Sequence, residues 1–133
     1  MAFLAKDGAR LYYEDTGGPA PTVLFLHGAG GNHLSWWQQV PVFAEEYRCI
    51  ALDQRGFGQS PDGAEGPGPA ALATDALALL DHLKITRAAL VAQLRRLHRG
   101  VQRCEREALD RAHEAGRLLI GQPAAERAAL LAD

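Results

Sequence analysis

Three short runs constrain this chain more than anything else in it. TVLFLH (residues 22–27), RCIALD (48–53) and AALVAQ (88–93) are apolar almost without interruption. A strand with one wet face alternates between apolar and polar residues. A strand that does not alternate is covered on both faces, the condition of a parallel sheet between helical layers. Between the second and third runs, Leu72, Ala76, Leu79, Leu80 and Leu83 recur at helical spacing and predict an amphipathic helix over about 69–84. Between the first and second, Ser35 with Gln38 fits a capping box and Pro41 suits a first helical turn, so short helical structure is expected across 35–46 with Ser35 as the cap. Ahead of these, FLAKDGARLYYED places two apolar runs around Asp7-Gly8, a hairpin signal. A hairpin followed by strand–helix–strand–helix–strand reads as an α/β fold with right-handed crossovers.

The 133 residues suffice for one ordinary domain. A net charge of −2 gives no reason to expect nucleic acid or an acidic membrane surface as a partner. Cys49 and Cys104 fall in dissimilar surroundings, which argues against a disulfide framework and for a reducing compartment, the cytoplasm. MAFLAKDG has no apolar stretch of signal-peptide length, and no run approaches the ~20 apolar residues of a membrane span.

Composition breaks at residue 93/94. Residues 1–93 carry 6 basic and 10 acidic side chains, whereas 94–133 carry 8 and 6, every basic one an arginine. All nine aromatic residues (FWY) lie before residue 58. We therefore divide the chain into an α/β part, 1–93, and an Arg/Ala-rich tail, 94–133, expected to be helical.

Two glycine-bearing loops follow the first two strands. Gly28-Ala29-Gly30-Gly31 allows three readings. It is a tight turn, a loop whose backbone N–H groups face a developing oxyanion, or the start of a dinucleotide fingerprint with Asp53 as the distant acid. Against the last, the third glycine position holds His33. The second loop is DQRGFGQS, residues 53–60. With LHGAGG upstream, it resembles the α/β-hydrolase family, whose members carry His-Gly after one strand and Asp-x-Arg-Gly-x-Gly-x-Ser after the next. The likeness covers roughly residues 8–93 and is to the esterase, lactonase and haloperoxidase-like branch. It implies a partial α/β-hydrolase fold and hydrolysis of a small ester-like substrate through a serine acyl-enzyme, with no cofactor and no metal. It also implies that the Ala29 N–H matches an oxyanion-hole position. Loop-shaping roles are expected for His27, Gly28, Asp53, Arg55, Gly56, Gly58 and Ser60, with Gly56 and Gly58 turning the chain at positive φ.

In that family the third strand ends in a nucleophile elbow, G-x-S-x-G, a strained strand-to-helix turn that exposes a serine. Here Ala92 takes the small first position and Gln93 the variable one, but the nucleophile position is Leu94 and the last glycine is Arg96. No acid or histidine is matched either. His98 and His113 read as solvent-facing helix residues and Cys104 as incidental.

The tail also breaks local rules. Arg95, Arg96 and Arg99 crowd a helix start, where the macrodipole disfavours positive charge, and Gln93 and Leu94 are poor caps. This points to a truncated, frameshifted or misjoined hydrolase reading, the alternative being a native Arg-rich helix. Leu94, Leu97, Val101, Cys104 and Ala108 would form one apolar face against the sheet. Arg95, Arg99, Arg103 and Arg106 would lie elsewhere, with a stop at Gly116 or Gly121 and a last short helix opened by Pro123. With nothing to follow it, the strand at 88–93 should be an exposed edge that self-associates. Three functions compete: a catalytically incompetent hydrolase fragment, a non-catalytic binding module using the tail helix, and an enzyme working by an unorthodox route.

Overall fold

The computed structural model describes residues 2–63, 66–93 and 118–120. Strands β1 (Ala2–Lys6) and β2 (Ala9–Asp15) form the expected hairpin. Asp7 and Gly8 sit at φ 48° and 76°, the two positive angles that match the twist of the flanking strands. β3 (Thr22–Leu26), β4 (Arg48–Leu52) and β5 (Ala88–Ala92) are the three apolar runs. β3 lies between the other two and is parallel to both, while β2 joins antiparallel to β4. The sheet reads β1-β2-β4-β3-β5-β6.

Both faces of the parallel strands are covered, as their lack of alternation required. Leu24, Leu26, Ile50 and Leu52 point to one face, where α2 (Leu72–His82) packs through Leu72, Ala76, Leu79 and Leu80. Val23, Phe25, Cys49 and Ala51 point to the other, under Trp36 and the short helix α1 (Gln39–Phe43). A 3-10 turn at Gly68–Ala71 leads into α2. The helix stops where Lys84 turns left-handed at φ 57°. There Ile85 N–H donates to Leu80 O at 2.8 Å and Lys84 N–H to Asp81 O at 3.0 Å, the paired bonds of a Schellman end.

Two local expectations need correction. The expected helix at 35–46 divides into a 3-10 turn, His33–Trp36, and the five-residue α1. Its cap is Asn32, whose Oδ1 accepts from Leu34 N–H at 2.9 Å, and Ser35 is the reciprocal partner of that box, not the cap. Second, β5 does have a further neighbour. Leu118–Ile120, inside the segment expected to be helical, form β6 parallel to β5, pairing Ala88 with Leu118 and Leu90 with Ile120. The apolar stripe from Leu94 to Ala108, the arginines around it, His98, His113, Cys104 and the stops at Gly116, Gly121 and Pro123 lie outside the described residues.

The end of β2 is fastened to the start of β4 by ions. Arg48 donates Nε–H and Nη2–H to the two Asp15 oxygens at 2.9 and 2.6 Å. These bonds hold the Asp15 carboxyl below its ordinary range, against the opposing effect of its burial. A carboxyl with a lowered folded-state pKa contributes stability above its unfolded pKa and loses it as pH falls through the folded one. The pair's contribution to the urea midpoint should therefore be full and independent of pH near neutrality and decline below about pH 4. Asp15→Asn should lower the neutral midpoint and shallow that acid decline. An unchanged acid limb in the variant would refute the assignment.

Candidate active-site scaffold at the carboxyl edge of the sheet

The carboxyl ends of β3, β4 and β5 meet along one edge, where ligands bind in open α/β sheets. Gln93 N–H donates to Leu26 O at 3.0 Å, carrying the β3–β5 ladder one residue past the strands. Gly28 packs on that junction: a Cβ there would stand 3.1 Å from Gln93 O. The following turn closes as Gly31 N–H donates to Gly28 O at 2.9 Å, with Ala29 half-buried within it.

His27 joins the first loop to the second. Its Nε2 accepts from Gln54 N–H at 3.0 Å, which leaves Nδ1–H to donate to Gly28 O at 2.8 Å. Gln54 returns a side-chain bond from Nε2 to His27 O. Both ring nitrogens are engaged and the ring is buried, so His27 has no lone pair to offer a substrate.

Asp53 is the centre of the second loop. Its carboxylate accepts from His33 N–H at 2.5 Å and Gln59 N–H at 2.8 Å, with His33 Nδ1 at 2.8 Å. Ser60 Oγ–H donates to Asp53 O at 2.7 Å and accepts from Tyr12 N–H at 2.8 Å, hooking the loop onto β2. Gly56 N–H donates to Ser60 O at 2.7 Å and closes the loop on itself. Gly58, at φ 52°, lies so close to Asp53 that a Cβ would fall 2.2 Å from Oδ2. Arg55 reaches away to α2. Its Nε–H and Nη2–H donate to the two Asp75 oxygens at 2.9 and 2.8 Å, and these bonds push the guanidinium further above its ordinary range.

This geometry rules out one of the three readings of the glycine turn. Asp53 is fully buried and its oxygens are occupied, so it cannot receive a ribose hydroxyl as the dinucleotide reading requires. Neither serine of the chain is placed as a nucleophile. Ser60 is fully buried and doubly bonded, and Ser35 belongs to the cap of the 3-10 turn. Among the described residues, no three His, Cys, Asp or Glu side chains are grouped to hold a metal. Residue 94 lies outside the described part.

Three participants had escaped the sequence reading. His33 counted there only as a misfit in a glycine fingerprint, yet it is the residue Asp53 holds. Gln54 gave no signal. Asp75 gave one: it shares a helical face with Leu72, Ala76 and Leu79, where an acid must find a cation.

A family profile described as the alpha/beta hydrolase fold matches residues 21–93. The chain is 37% identical over 89 residues to the dihydrolipoyllysine-residue acetyltransferase component of the acetoin cleaving system of Cupriavidus necator, covering 67% of this chain and 24% of that one. It is 38% identical over 91 residues to an epoxide hydrolase of Caballeronia sordidicola, covering 66% and 27% respectively. Among solved structures it resembles Est816, an N-acyl homoserine lactone degrading enzyme, with a TM-score of 0.73 and 29% identity across 99% of this chain and 52% of that one. The chain thus spans about a quarter of the length of these curated relatives. Among the described residues, no helix is long and apolar enough to cross a membrane.

Proposed function

The chain belongs to the α/β-hydrolase fold family, and from that premise we propose that it carries the N-terminal scaffold of a hydrolase of ester-like bonds without performing the hydrolysis. The observation that carries this reading is the sequence at the end of β5. The loops that frame a reaction site are built, but the position that would follow as nucleophile is Leu94, which cannot attack a carbonyl. In this reading the Ala29 N–H is the vestige of an oxyanion hole. His27, Gly28, Asp53, Arg55, Gly56, Gly58 and Ser60 shape the loops and touch no substrate. The substrate class is a small ester-like molecule, and no cofactor enters. The cytoplasm is the proposed location, on cysteine usage alone. Self-association through the sheet edge beyond β5 belongs to the same reading; among the described residues β6 pairs with residues 88–90 of β5 and not with Val91 or Ala92.

The test is hydrolysis of a short-chain activated ester. The chain should show no turnover above a heat-killed control. Leu94→Ser should be equally inert, because a lone serine has no base to take its proton. Turnover by the parent chain that a serine-directed inhibitor abolishes would overturn the proposal.

A further inference from the structure

The sheet begins on a strand with one open side. β1 is its first strand, and among the described residues no strand pairs with the side away from β2. Edges of this kind are ordinarily blunted by a free lysine, a proline or a bulge. AFLAK has no proline, and its register with β2 runs unbroken from Ala2–Tyr13 to Lys6–Ala9. Its one charge is not free to guard the edge. Lys6 Nζ stands 2.8 Å from Asp7 and 3.2 Å from the buried Asp75 of α2, which draws it down onto the helix-covered face and leaves its side chain 22% exposed. Phe3, by contrast, is 40% exposed, with Ala5 exposed beside it.

The turn fixes which backbone groups face outward. Asp7-Gly8 is a two-residue loop, so the flanking Lys6 and Ala9 exchange both of their hydrogen bonds. Alternation then turns the N–H and C=O groups of Lys6, Leu4 and Ala2 toward β2, and those of Phe3 and Ala5 outward. Two such residues, spaced two apart, complement the same two residues run in the opposite direction. Phe3 of one chain meets Ala5 of the other, which allows four hydrogen bonds, and Leu4 meets Leu4 between them. Lys6 falls opposite Ala2, so no like charges face each other. Ala2 and Leu4 already pack on the core, and the second copy extends that apolar face.

From this register we infer that β1 is a dimer edge. Two copies pair antiparallel through Phe3 and Ala5, about a two-fold axis at Leu4, and join their sheets. A two-fold contact closes at two chains. A five-residue edge is small beside the roughly 1,200 Å² of a stable complex, so the dimer is weak and depends on concentration. The inference does not rest on the hydrolase reading, and it uses the end of the sheet opposite to β5 and β6.

Ala5→Pro tests it on the whole chain. The N–H that proline deletes points away from β2, so the hairpin ladder stays intact and the urea midpoint should remain near the parent's. In sedimentation equilibrium the parent's mean mass should rise above the monomer value with concentration. Ala5→Pro should weaken that association at least about tenfold, because each dimer loses two hydrogen bonds. A second pair of variants tests the register. Leu4→Cys puts two thiols on the axis at a non-hydrogen-bonded pair, with Cα atoms about 4.5 Å apart, and mild oxidation should yield a covalent dimer. In Ala5→Cys the two thiols stand off the axis, their Cα atoms roughly 8 Å apart, and crosslinking should not exceed the parent's. A parent that stays monomeric at the highest concentration, association unchanged in Ala5→Pro, or Ala5→Cys crosslinking as readily as Leu4→Cys would each overturn the inference.

Discussion

Asp75→Ala is expected to lower the unfolding free energy by about 3–5 kcal/mol, the cost of removing one partner from a buried ion pair. The side chains of Arg55 and Asp75 are 3% and 1% exposed and share two parallel hydrogen bonds. Removing the carboxylate strands a guanidinium whose nearest remaining anion, Asp62, is 3.9 Å away. Arg55→Met leaves Asp75 better provided, because Lys6 Nζ stands 3.2 Å from it, so its loss should be the smaller of the two. The double variant Arg55→Met/Asp75→Leu removes both charges and fills the space with apolar atoms. It should recover most of what Asp75→Ala loses, since desolvation offsets much of the attraction in such a pair. Since domains have only 5–15 kcal/mol in all, the single variant should show a large fall in urea midpoint with an unchanged slope. A fall of less than about 1 kcal/mol would show that the pair is solvated in solution.

Gly58→Ala is the second large effect, at roughly 3 kcal/mol or more. Two costs combine. A left-handed φ of 52° disfavours any side chain by about 1–2 kcal/mol. The new methyl would also meet Asp53 Oδ2 at 2.2 Å, and overpacking typically costs a further 1–3 kcal/mol. Asp53 cannot swing aside without giving up His33 N–H and Gln59 N–H. Gly56 separates the two costs. It has φ 84°, but a Cβ there meets only Asp62 Cβ, at 3.9 Å. Gly56→Ala should therefore show the backbone cost alone. Equal losses in the two variants would refute the steric part of the argument.

What the sequence made legible was whatever depends on neighbours along the chain. The uninterrupted runs at 22–27, 48–53 and 88–93 announce strands covered on two faces because burial alone dictates their composition. Asp7-Gly8 announces its hairpin because only certain residues accept two positive φ angles. The spacing in DQRGFGQS is readable because that loop closes on itself, Gly56 to Ser60. The partners it recruits from elsewhere were not readable. His33 is twenty positions from Asp53, and Asp75 twenty from Arg55, and no periodicity links residues across elements. The cap moved from Ser35 to Asn32 because both residues belong to one box and the local pattern does not say which leads. β6 escaped because three apolar residues between a charged stretch and a glycine carry neither helical nor strand periodicity.

The position of β3 in the sheet has a consequence for how the chain is made. β3 is synthesised before either strand that flanks it, since Thr22 pairs with Arg48 on one side and Ala88 on the other. Synthesis at about 5–20 residues per second leaves its apolar residues without their second neighbour for several seconds. The hairpin cannot shelter them, because β2 pairs with β4 and not with β3. On the ribosome, then, residues 22–26 form an exposed, strand-prone segment awaiting residues not yet made, the kind of nascent segment for which chaperone protection matters most.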